Sequence, residues 1–130
     1  MRYLLDTNAV IALLRGHEGF LARLRAHAPG DFGLSVVVLH ELIYGAAHSA
    51  RPEANLARID ALRFERLPLS AEDAAEAGRV RAALARGGTP IGAYDVLIAG
   101  QARIRGLTVV TRNRREFDRV EGLIVEDWEE

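Results

Sequence analysis

Short apolar runs alternate with stretches of helical periodicity along the whole chain, and that alternation leaves few folds open. Tyr3-Leu4-Leu5 is one such run, and Asp6-Thr7-Asn8 after it predicts a turn or a helix start. Val10, Ile11, Leu13 and Leu14 then predict a helix from Ala9 that stops near Arg15-Gly16. Phe20, Leu21 and Leu24 mark a second helix to about His27, broken by Ala28-Pro29-Gly30-Asp31. Phe32-Gly33-Leu34-Ser35 predicts a strand, with a helix from about Val37 through Glu41 and Tyr44 to Ala47. A helix opening at Arg51-Pro52 turns Leu56, Ile59 and Leu62 inward, and Glu65-Arg66-Leu67 is a short candidate strand. Ser70, with Glu72 and Asp73 behind it, caps an alanine-rich helix to Ala85, which Gly87-Gly88-Thr89-Pro90 ends. Ala93 to Arg105 is helical again and Gly106 terminates it. Thr108-Val109-Val110-Thr111 is the clearest strand, Arg114 to Phe117 a turn of helix, and Leu123-Ile124-Val125 a last strand. Strands separated by helices predict a parallel central sheet covered by helices on both faces, a three-layer α/β/α fold.

The 130 residues suit a single domain spanning 1–130, long enough for one hydrophobic core. There is no cysteine, which excludes disulfides, zinc–thiolate sites and thiol catalysis and fits a cytoplasmic protein. The longest apolar stretch, Val36-Val37-Val38-Leu39, falls far short of the roughly 20 residues of a membrane span, so no membrane association is expected. Met1 to Asp6 does not read as a signal peptide, because an acid follows the short apolar run at once. A net charge of −1 argues against a protein that simply coats nucleic acid. All 17 basic residues are arginine, a composition that fits a GC-rich genome as well as a phosphate-binding role.

In open parallel sheets, ligands bind beyond the carboxyl ends of the strands, near the switch in strand order. The residues there are acidic. Asp6 follows the first strand, Glu41 lies in the first turns after the second, and Asn113 and Glu116 follow the strand at Thr108. Asp95 sits in the opening turn of the helix leading into that strand. Carboxylates packed together raise one another's pKa unless something positive sits among them, and Mg²⁺ or Mn²⁺ with oxygen ligands is the usual answer. Each acid also has an ordinary reading: Asp6 as a helix cap, Asp95 as an acid at a helix N-terminus, Glu41 as part of a solvated helix face. Arg112, Arg114 and Arg115 stand beside the acids as candidate phosphate contacts. His17, His27, His40 and His48 have neither ligand nor catalytic spacing and are assigned to surface or packing.

Four stretches in order bear a family likeness: Tyr3 to Asn8, Leu39 to Gly45, Pro90 to Asp95 and Val110 to Phe117, with Glu126-Asp127-Trp128 as a matching close. Together they resemble the PIN-domain nucleases, and among them the VapC toxins of bacterial toxin–antitoxin pairs. The resemblance implies a metal-dependent endoribonuclease in which Asp6, Glu41 and Asp95 are the core catalytic acids and hold Mg²⁺, with Mn²⁺ as a substitute. Some PIN domains carry an aspartate where this chain has Asn113, and relatives use an acid at the position of Glu116. Thr7, Asn8, Thr111 and Asn113 would orient the ligands. The resemblance further implies an RNA substrate, transfer RNA among the family's targets, a cognate VapB-type antitoxin and a homodimer. The competing reading within the family is a catalytically silent PIN-like module that binds RNA or a partner. A phosphate-accepting receiver domain is discounted because that fold uses a lysine and this chain has none.

Overall fold

The strands of this protein are short, two to four residues each, and Tyr3–Leu5 and Phe32–Ser35 are buried along their whole length. The computed structural model describes every residue from Met1 to Glu130. Its elements are β1 (Tyr3–Leu5), α1 (Thr7–Leu14), α2 (Glu18–Arg25), β2 (Phe32–Ser35), α3 (Val36–Ala47) and α4 (Pro52–Asp60). They continue with β3 (Glu65–Leu67), α5 (Ala71–Arg86), α6 (Ala93–Arg105), β4 (Thr108–Val110), α7 (Arg114–Phe117) and β5 (Val125–Glu126). The sheet runs β3-β2-β1-β4-β5, and every neighbouring pair is parallel. Crossovers from β1 to β2 and β3 travel one way along the sheet, whereas those from β3 to β4 and β5 travel the other. Right-handed connections therefore place α1–α4 on one face and α5–α7 on the opposite face. The direction reverses between β1 and β4, which opens a crevice beyond the ends of those two strands.

Leu4, Leu5, Leu34, Val109 and Val110 supply the fully buried middle of the core, with Val10, Val38, Val80, Ile98 and Phe117 packed on it from the helices. Burying one such side chain contributes about 1.5–3 kcal/mol. The helices α5 and α6 approach so closely that a Cβ on Gly100 would lie 2.5 Å from the Ala77 backbone. A buried polar staple fixes the same pair: Asp73 caps α5 through Ser70, receives Nε2 of Gln101 at 3.0 Å and pairs with Arg105 at 2.8 Å.

Four element boundaries are corrected in detail. The last strand is Val125–Glu126, not Leu123–Val125, because Val125 pairs with Val109 and Glu126 with Val110, leaving Ile124 63% exposed. Leu62 lies beyond the end of α4, although it still packs on the core. Thr111 stands just outside β4, and α1 begins at Thr7 with Asp6 as its cap.

Candidate active site

Asp6 performs two tasks at the end of β1. Its Oδ1 accepts the Ala9 N–H at 2.8 Å and caps α1, while its Oδ2 accepts a short hydrogen bond from the Thr111 hydroxyl at the end of β4. That second bond spans the crevice at the switch point. The Thr111 oxygen also accepts the Asn113 N–H at 2.9 Å, which turns the chain from β4 toward α7. Asn113 in turn donates from Nδ2 to Glu116 Oε2 at 3.0 Å. Glu41, in the second turn of α3, receives the Thr7 hydroxyl at 2.8 Å. Asp95, at the third position of α6, folds back toward Gly92, where an added Cβ would lie 3.2 Å from Oδ2.

Charge shows which of these groups face one another. Burial pushes the Asp6 carboxyl up to about 6, against hydrogen bonds from Thr111 and Ala9 that lower it, and the charges of Glu129 and Glu41 raise it further. Asp95 is also pushed up to about 6, first by burial and then by the charges of Asp6, Glu116 and Glu41, with the Glu116 carboxyl in hydrogen-bonding reach. Asp6, Glu41, Asp95 and Glu116 thus lie within reach of one another's charge, and no arginine is among the groups that chiefly set either raised value.

This donor set suits a hard divalent cation, since it offers only oxygen and since burial and neighbouring carboxylate charge both act to raise two of its acids. No three of the acids already close directly around a common point.

The remaining expected site residues are placed differently. Asn8 is exposed and lines a hollow with Arg15, His17, Arg112 and Glu129. Arg112, Arg114 and Arg115 are all exposed, and Arg114 pairs with Asp118 at 3.1 Å one turn along α7. Glu129 belongs to the acidic neighbourhood of Asp6, although in the sequence it is one acid of a terminal run. The buried Trp128 beside it, packed against Tyr3, Phe20, His27 and Phe32, is the signal that this terminus is anchored. Arg15, Tyr44 and Tyr94 also line hollows at the site and carried no such signal.

The sequence matches the PIN domain family over residues 3–123. The chain belongs to that family. Within it, the chain is 44% identical to the tRNA(fMet)-specific endonuclease VapC of Shigella flexneri over 98% of each protein. Its fold superposes with a TM-score of 0.92 on a chain of DNA-bound VapBC from Salmonella typhimurium, at 42% identity over 98% of both chains. A chain of VapBC2 from Rickettsia felis, bound to a promoter DNA fragment, also gives 0.92, at 34% identity and covering 98% of this chain and 99% of its own. This PIN domain is therefore of the VapC type, and its parallel five-stranded sheet is the expected one.

Proposed function

We propose that residues 1–130 form a single PIN domain that acts as a Mg²⁺- or Mn²⁺-dependent endoribonuclease, the toxin of a toxin–antitoxin pair. The observation that carries this reading is the set of carboxylates at the strand ends, Asp6 held by Thr111, Glu41 by Thr7 and Glu116 by Asn113, with Asp95 within reach of their charge. A divalent cation bound there would polarise the phosphate and lower the pKa of the attacking water. Asp6, Glu41 and Asp95 are the residues to hold it, with Glu116 completing the acidic wall. The Thr111 and Thr7 hydroxyls fix the oxygens of Asp6 and Glu41, and Asn113 fixes Glu116, so each acid but Asp95 has a side-chain donor orienting it. Arg112 and Arg15, which line one hollow with Asn8 and Glu129, would meet phosphates of the RNA strand, and Arg114 would exchange Asp118 for a phosphate at little cost.

The relatives named for tRNA(fMet) make that transfer RNA the first substrate to try. A VapB-type antitoxin fits the apolar groove between α1, α3 and α4, where Ile11, Leu14, Leu42 and Ile59 lead up to Thr7 and Glu41. The test is cleavage of a bulk RNA pool containing initiator transfer RNA by the purified chain freed of antitoxin. Discrete fragments that need Mg²⁺ or Mn²⁺ and disappear with EDTA are expected. Folded protein that cleaves nothing under either metal would leave the silent binding module as the reading.

A further inference from the structure

Two tyrosines break the rule by which this chain disposes of its aromatic rings. Of its three tyrosines, four phenylalanines and one tryptophan, all are buried except Tyr44 and Tyr94, which are 64% and 47% exposed. They come from different elements, α3 and α6, yet line one hollow of about 330 Å³ together with Thr7, His40 and Glu41. Thr7 and Glu41 are hydrogen-bonded to each other, so one wall of this hollow is the acidic site itself.

Each ring lies against a different histidine. The Tyr94 hydroxyl lies 3.4 Å from His40 Nε2, and the two rings meet edge to face with centroids 5.5 Å apart. Tyr44 stacks on His48 with an interplanar angle of 9°. His40, Tyr44 and His48 recur every fourth residue and so share one face of the helix. No arginine lines the hollow, and its charged wall is a carboxylate, which repels phosphate. A planar, uncharged group with an aromatic face suits it.

We propose that Tyr94, His40 and Tyr44 form a nucleobase subsite that stacks one unpaired base of the RNA beside the phosphodiester presented to the acids. This rests on the ribonuclease reading given above. Stacking of splayed bases on aromatic side chains is how proteins grip single-stranded RNA, and it tolerates any base because each has a π-face. The subsite accordingly selects loops and single strands over duplex, since a paired base cannot enter.

The test combines Tyr94→Ala and Tyr94→Phe with an RNA that the wild-type chain cleaves, in which single abasic nucleotides are scanned across the cut. Tyr94→Ala should raise KM about tenfold while leaving kcat within about threefold, and Tyr94→Phe should restore KM to within about twofold. At one position flanking the cut, the abasic nucleotide should cost the wild type the same factor yet cost Tyr94→Ala almost nothing more. Equal abasic penalties in wild type and Tyr94→Ala at every position would overturn the subsite while leaving the nuclease standing. A Tyr94→Ala chain that instead changes from dimer to monomer in sedimentation, with no abasic coupling, would assign the tyrosines to a protein interface and overturn it too. Failure of the wild type to cleave any RNA would remove the nuclease reading and the subsite with it.

Discussion

Asp6 shows how one residue can be structural and chemical at once. In the sequence it reads equally as a helix cap and as a metal ligand, and in the structure its two oxygens divide those tasks between Ala9 and Thr111. Asparagine is as good a cap as aspartate. Asp6→Asn should therefore abolish cleavage yet stabilise the metal-free protein at pH 7, by on the order of 1–3 kcal/mol, because the buried charge is gone. Thermal melting with EDTA checks this, and a lower melting temperature with an intact fold would count against carboxylate crowding. Gly92 is a subtler case. Its φ of −56° suits any residue, but an alanine Cβ would come 3.2 Å from Asp95 Oδ2 and displace that carboxyl. Gly92→Ala should lower kcat/KM roughly 10- to 100-fold while costing about 1 kcal/mol or less in stability. Parallel kinetics and urea unfolding separate the two effects. What single residues concealed was long-range company: nothing in the sequence brings Glu129 to Asp6 or Tyr94 to His40, because those meetings are made by tertiary packing.

At the scale of elements, periodicity and caps located nearly everything. Ser70 with Asp73, and Gly106 in the left-handed region at φ 68°, bound their helices as expected from local chemistry alone. The strand near the C-terminus was displaced because Leu123-Ile124-Val125 satisfies a strand pattern, whereas pairing to β4 and the anchoring of Trp128 select Val125–Glu126. The closeness of α5 and α6 was also hidden, since an internal glycine in a helix reads only as a weakness. Gly100→Ala should gain helix propensity yet destabilise the protein by about 2–4 kcal/mol, because overpacking against the Ala77 backbone outweighs that gain. The midpoint of chemical denaturation measures it, and an unchanged midpoint would mean that the helices separate freely.

For the whole molecule, two sets of carboxyls pull stability in opposite directions with pH. Burial acts to raise Asp73, but Arg105, the Ser70 N–H and Gln101 outweigh it and hold it at about 2. Its contribution is therefore full above the unfolded value of 3.8 and lost as pH falls toward 2. Asp6 and Asp95, raised to about 6, act the other way: their protonated forms favour the fold below 3.8, and that advantage is lost as pH rises through 6. The metal-free protein should accordingly melt highest between about pH 4 and 5 and lose stability toward pH 7. Added Mn²⁺ should raise the melting temperature more at pH 7 than at pH 5, since its ligands must be deprotonated. A flat metal-free profile from pH 4 to 7 would mean that the acids are not crowded. The most direct measurement is calorimetric titration of Mn²⁺ into the wild-type chain and Asp95→Asn at pH 7, both shown to be folded and free of antitoxin. The acids acting together as a metal site should give saturable binding in the wild type and binding about tenfold weaker or worse in the variant. Equal affinity in the two proteins, or none in the wild type, would contradict a metal site built on Asp6, Glu41 and Asp95.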